Sequence, residues 1–214
     1  MKDVHFVPGK EDMRTRRGFS LVELLVVIGI IAVLISILLP SLSKARAQAN
    51  FVKCQSNMRQ IGIQLQMYLN DWNGWLFPPN LHAGLPENQR WTAQVFDVWN
   101  PPIMLCPSDL EPELQHSYLL NDHLVEHKIR ANSTDLGGKS TSDVVVLGEK
   151  RTDYPDYYMN RNDYDTRVEP YRHGIQVGSN YLYMDWHVGP LRMKESLKAI
   201  DPWDVPPASS QPAP

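Results

Sequence analysis

The stretch from Phe19 to Leu39, FSLVELLVVIGIIAVLISILL, limits this chain more than any other: it is 21 residues long and its only ionisable group is Glu23. A helix rising ~1.5 Å per residue makes ~30 Å of such a run, the thickness of a bilayer's hydrocarbon core. A carboxylate in that span costs roughly 2.5–3.5 kcal/mol at mid-membrane and less near an end, so it needs a compensating partner. Lys2, Lys10, Arg14, Arg16 and Arg17 precede the run. By the positive-inside rule they hold the leader in the cytoplasm and send the rest of the chain across, opposed only weakly by Lys44 and Arg46.

Three ordinary explanations compete. A plain anchor accounts for the length but not for Glu23 or for the Gly18-Phe19 junction. A secretory signal has a core of about 7–15 apolar residues, shorter than this one, although Ala45-Arg46-Ala47 and Ala47-Gln48-Ala49 imitate its cleavage site. Thr15-Arg16-Arg17-Gly18-Phe19-Ser20-Leu21 also has the form of a twin-arginine export address, but such signals carry weaker apolar cores.

The run resembles the N-terminus of type IV pilins and type II secretion pseudopilins. The resemblance implies a basic leader ending at Gly18, cleavage by a prepilin peptidase, and N-methylation of the new first residue, Phe19. Glu23 stands at the family's fifth-position glutamate and Pro40 at its helix-kinking proline. The same resemblance implies a membrane-held subunit that assembles with other pilin-like subunits through its N-terminal helix on a secretion or pilus platform. It also implies a single pass of a bacterial inner membrane, with the C-terminal domain periplasmic or extracellular.

Beyond the membrane lie about 170 residues, enough for one domain with a real core. Phe51, Cys54, Met58, Ile61, Leu65, Tyr68 and Trp72 recur at alternating spacings of 3 and 4, an amphipathic helical stripe that ends at Asn73-Gly74. Packing of this stripe on a sheet is favoured over a coiled coil, because it lasts only about three heptads. Cys54 and Cys106 both fall on the exported side, where disulfides persist. They either pair, or Cys54 is simply a small buried hydrophobe. The formal net charge of −3 and pI near 6.1 give no sign of a nucleic-acid partner.

Residues 73 to 117 read as a long, proline-rich packed loop. Asp143 to Gly148 reads as a buried strand, and Ser179 to Met184 with His187 to Leu191 as a hairpin. The expected organisation is a leader 1–18, a transmembrane helix 19–40, an amphipathic helix 41–72, an exported domain 73–200, and a disordered proline-rich tail 201–214. The expected fold is α+β, one long N-terminal helix on a small antiparallel sheet, as the pilin resemblance implies. The segments KCQSNMRQIGIQLQMYLNDWNG, LCPSD, SYLLND, VVLGEK and RHG with NYLYMDWHV also resemble a pilin-like group known mainly from planctomycetes. That group carries a C-terminal signature of His, nine residues, Asp-Gly. Here His173 and Asp185 are separated by eleven residues, and Trp186 replaces the glycine. A tight two-residue turn needs φ > 0 at both central positions, which Trp disfavours, so a longer or differently built hairpin is expected. Neither His173 nor Asp185 is read as catalytic.

Two patterns suggest other chemistry. His123-Leu124-Val125-Glu126-His127 matches H-x-x-E-H, two histidines one helical turn apart with a glutamate base, and Glu149 or Glu169 could be a third zinc ligand. Its flanks, Asn121-Asp122 and Lys128 to Asn132, read as an exposed turn. Asp153, Asp156, Asp163 and Asp165 place hard oxygen donors close together, a Ca²⁺ pattern without EF-hand spacing; a solvated loop over Tyr154, Tyr157, Tyr158 and Tyr164 is the preferred reading. No cofactor is otherwise expected. The reading is therefore a non-enzymatic pilin-like subunit. A membrane-anchored zinc peptidase and a single-pass scaffold that never polymerises are the alternatives.

Overall fold

The computed structural model describes residues 19–74, 90–98, 101–113, 116–124, 136, 138–159 and 164–191. Gly18, Glu126, His127, Asp163 and the 201–214 tail lie outside them, as does the side chain of Asp165. The chain divides after Lys44 into two compact units.

The described part of the first unit is helical from Leu21 onward, and every residue from Phe19 to Lys44 is exposed. Ser20 precedes the first helical residue, and its N–H donates to Glu23 Oε2 at 2.9 Å. That is half of a capping box: a carboxylate three residues on satisfies a donor that the helix start leaves open. Helix α1, Leu21–Asp71, is one element that includes Pro40. The proline ring lacks the N–H that would have bonded the Ser36 carbonyl.

In the second unit α1 buries Cys54, Asn57, Met58, Ile61, Gly62, Leu65, Tyr68 and Leu69. The apolar stripe is therefore real up to Tyr68. Trp72 departs from it: it is 52% exposed and stacks on the Tyr68 ring at 5.7 Å. Gly62 belongs to the buried face because a Cβ there would meet Leu182 Cδ1 at 3.1 Å, so glycine lets the helix approach the sheet closely. The helix closes where the sequence suggests. Asn73 and Gly74 take positive φ, and the Gly74 N–H donates to the Leu69 carbonyl at 2.7 Å, a Schellman closure.

The sheet has five strands in the order β3-β1-β2-β4-β5. They are β1 Tyr118–Asn121, β2 Val145–Glu149, β3 Tyr158–Met159, β4 Ser179–Tyr183 and β5 Val188–Leu191. Three pairings are antiparallel, as expected, but β1 and β3 run parallel, Leu120 against Tyr158. Alternation sends Tyr118, Leu120 and Leu182 to the same core as the α1 stripe, and Leu119, Tyr181 and Tyr183 to a smaller cluster. A register shift between Val145 and Leu147 puts the consecutive Val146 and Leu147 in the larger core.

The proline-rich connection is less irregular than its composition suggests. It contains the short helix α2, Trp91–Phe96, and a 3₁₀ turn, Pro102–Met104. Trp91 is fully buried, and its indole N–H donates to the Tyr157 carbonyl at 3.3 Å. A four-residue helix, α3, covers Tyr164–Arg167. Cys54 and Cys106 are paired across a sequence separation of 52, a loop whose closure is worth about 4 kcal/mol in the chain-entropy account.

The β4–β5 hairpin is built differently from a two-residue turn. The Trp186 N–H donates to the Tyr183 carbonyl, the Tyr183 N–H to the His187 carbonyl, and Trp186 sits at φ 70°. Met184, Asp185 and Trp186 thus form a three-residue loop, a turn followed by one left-handed residue. Glycine usually fills that last position. Here an indole packed on the core fills it, 3.5 Å from where a Gly62 Cβ would stand.

Candidate functional site

Two sites emerge, one in each unit. In the first, the exposed apolar helix presents Phe19 at 81% exposure and Leu21 to Leu42 with no protein cover. The apolar part of α1 is long and apolar enough to cross a membrane and none of it is buried, which fits a membrane anchor. Glu23 lies at the start of this surface with one oxygen already engaged by Ser20.

In the second unit, five separated segments meet in a buried polar cluster around the disulfide. Cys54 comes from α1, and Cys106, Ser108 and Asp109 from the loop after the 3₁₀ turn. Ser117 precedes β1, Glu149 ends β2 with Lys150 directly after it, and Arg172 and His173 precede β4. His173 Nε2 lies 2.8 Å from Glu149 Oε1 and 3.9 Å from Cys106 Sγ, while Ser108 Oγ is 3.4 Å from His173 Nδ1. The other carboxylate oxygen of Glu149 accepts the Asn180 N–H at 2.9 Å. Phe51 meets the imidazole edge-on at 5.2 Å between ring centroids. The Cys106 N–H donates to Ser117 Oγ at 3.0 Å.

Beside this lies a second pair. Arg172 Nη1 donates to Asp109 Oδ1 at 3.0 Å and to Thr152 Oγ1 at 2.8 Å, and Nη2 donates to the Lys150 carbonyl. Thr152 Oγ1 donates to the same Asp109 oxygen at 2.6 Å. Lys150 is fully buried and its ammonium donates to the Glu113 and Tyr154 carbonyls. Burial, with help from Arg172, pulls its pKa down to about 8, and Asp109 restrains the fall. His116, stacked on Tyr157 at 3.6 Å, is pushed down to about 3 by burial and then by the Lys150 charge, so it is neutral and its Nδ1 donates to the Tyr118 carbonyl. The side chains of His173 and Glu149 are 2% and 0% exposed. That burial makes the cluster a clasp on the fold.

Other site residues read from sequence fare differently. Asp185 does not meet His173. Its Oδ1 accepts the His187 N–H and pairs with His187 Nδ1, which fastens the hairpin turn. Asp153 and Asp156 face Arg151 at 3.7 Å and Arg167 at 3.5 Å. Asp122, His123 and Leu124 form a turn as expected, a 3₁₀ one, but it is not exposed: Leu124 is buried and Asp122 and His123 are half-buried, while Lys128 to Asn132 lie outside the described residues. Of the carboxylates considered as a third zinc ligand for H-x-x-E-H, Glu149 is taken by His173, and Glu169 Oε1 accepts the Tyr171 N–H. Sequence reasoning missed Asp109, Glu149 as a partner of His173, Lys150 and Arg172. Each sits within three residues of one it did single out.

An apolar helix opened by a glutamate cap, followed by an α+β domain stapled to that helix's continuation, defines the class: a pilin-like subunit with a membrane-anchor N-terminus. The comparisons agree. Residues 13–39 match the prokaryotic N-terminal methylation motif. The chain is also similar to the type IV wide pilus major component PilA4 of Thermus thermophilus, 40% identical over 63 residues. That match covers 29% of this chain and 48% of the relative, so the chain spans about half the length of the curated relative it matches. No solved structure matches it. Both matches support a type IV pilin- or pseudopilin-like protein.

Proposed function

We propose that this chain is a structural subunit of a type IV pilus or a type II secretion-like filament. A prepilin peptidase cuts between Gly18 and Phe19 and methylates the new amine. Before assembly the apolar helix crosses the inner membrane once, with its leader cytoplasmic and its second unit outside. The observation that carries this reading is the methylation motif at 13–39, whose described part from Leu21 onward is helical and fully exposed up to Leu39.

In the filament, Glu23 has a second task besides the Ser20 cap. Its remaining oxygen accepts the Phe19 amine of a neighbouring subunit, an ion pair far stronger in a low-dielectric core than in water. Leaving that carboxylate unpaired would be costly, so the pair selects the axial stagger, while apolar packing supplies most of the cohesion. Mass spectrometry of the native N-terminus tests the proposal. It expects a chain beginning at methylated Phe19; a mature chain that begins at Met1 rejects it in favour of a plain anchor.

A further inference from the structure

The clasp around Cys54 and Cys106 has the composition of a metal site in one redox state only. Cys54 and Cys106 Sγ, His173 Nε2 and a Glu149 oxygen all lie within 4.8 Å of one another. Two sulfurs, one imidazole nitrogen and one carboxylate oxygen, on side chains of which those of His173 and Glu149 are 2% and 0% exposed, are a donor set suited to a structural zinc site. We infer that when the Cys54–Cys106 bond is reduced, these four groups bind one tetrahedral Zn²⁺, and that re-forming the disulfide expels it.

The geometry requires little movement. Bonds of ~2.0 to ~2.3 Å in a tetrahedron put ligand atoms roughly 3.3–3.8 Å apart. His173 Nε2 is now 2.8 Å from Glu149 Oε1 and 3.9 Å from Cys106 Sγ, so shifts on the order of 1 Å complete the polyhedron. The outer partners that orient such ligands are already in place. Ser108 Oγ faces His173 Nδ1, which frees Nε2 for the metal, and the Asn180 N–H holds the second Glu149 oxygen. Two thiolates and a carboxylate leave the zinc site with one net negative charge. Lys150 and Arg172, the chain neighbours of Glu149 and His173, are buried cations that offset it.

The redox step balances simply. A dithiol reductant gives the disulfide two electrons and two protons and itself becomes a disulfide. Zn²⁺ then displaces both thiol protons to water. In reverse, a disulfide oxidant takes two electrons from the thiolates and is protonated to a dithiol. The metal, left with only His173 and Glu149, dissociates as Zn²⁺. This behaviour is independent of filament assembly.

The test uses the full chain in detergent, with Co²⁺ as a spectroscopic stand-in for zinc. Reduced chain is expected to bind one Co²⁺, with a sulfur-to-cobalt charge-transfer band and the intense d–d absorption of a tetrahedral site. Zn²⁺ abolishes both signals, and disulfide oxidant releases one zinc per chain. Oxidised chain shows neither band. His173→Ala and Glu149→Gln each weaken binding at least about tenfold. If reduction unfolds the chain, zinc is expected to restore the helical circular dichroism of the parent and not that of His173→Ala. A reduced chain that gives no tetrahedral cobalt spectrum overturns the inference. So does binding that is indifferent to His173 and Glu149, which would mean two thiols acting alone, and so does an unfolded reduced chain that zinc fails to refold.

Discussion

Replacing Arg172 with methionine tests whether the buried polar cluster holds the fold. The arginine side chain is 7% exposed and Asp109 is 0% exposed at its side chain. Removing the guanidinium leaves the Asp109 carboxylate with Thr152 as its hydrogen-bond donor and withdraws a donor from the Lys150 carbonyl. Breaking a buried ion pair by deleting one partner costs roughly 3–5 kcal/mol, because the surviving charge stays desolvated. The low end applies here. The pair meets through Asp109 Oδ1 alone, and Asp109 Oδ2 and Arg172 Nε have no partner among the described residues. The expected loss is about 3 kcal/mol, a large share of the 5–15 kcal/mol typical of a domain. Urea unfolding of the full chain in detergent, followed by Trp fluorescence, measures it as a lower midpoint with an unchanged slope. Asp109→Asn combined with Arg172→Met should cost less than the two single changes summed, since no orphan charge remains. A single-variant loss below about 1 kcal/mol, or strict additivity in the pair, refutes the clasp.

Three other outcomes follow from particular contacts. Trp186 holds a left-handed φ that costs a non-glycine residue ~1–2 kcal/mol, while its indole packs on the core. Trp186→Gly should therefore destabilise less than Trp186→Ala by about 1 kcal/mol in thermal or urea melts; alanine equal to or better than glycine would show that the turn is unstrained. His116, near 3 when folded against ~6.5 unfolded, makes the unfolded chain bind more protons between those values, so stability falls as pH drops from 6.5. By pH 5 the loss from this group reaches about 2 kcal/mol, and His116→Leu should flatten that slope; an unchanged slope places the sensitivity elsewhere. Glu23→Ala should leave cleavage at Gly18 intact and impair assembly, read by N-terminal mass and electron microscopy. Glu23→Gln separates the two tasks, because glutamine keeps an acceptor for the Ser20 N–H but no charge. Filaments from the Gln chain would show that the cap suffices and the ion pair does not matter.

Legibility of this fold followed the distance over which each feature is decided. The α1 stripe, its Asn73-Gly74 stop and the β4–β5 hairpin are set by neighbours a few residues apart, so periodicity and turn chemistry exposed them. The cluster is set by Asp109 with Arg172 and Cys106 with His173, pairs 63 and 67 residues apart, and by no period at all. Strand β3 is two residues long and parallel to β1, too short for any alternation to register. What could have revealed the cluster is charge in the wrong company. Glu149 and Lys150 directly follow Val144-Val145-Val146-Leu147-Gly148, a run that reads as fully buried. Two opposite charges at the end of a buried strand require partners from elsewhere in the chain. LCPSD and RHG supplied them, the first with Asp109 three residues after Cys106 and the second with Arg172 directly before His173. The same reasoning explains why His173 and Asp185, named together by the signature they resemble, do separate work. Spacing along a chain brings groups together only within one element, and the Gly178 turn and strand β4 intervene between these two. His173 is placed by the sheet's partners, and Asp185 by its own turn.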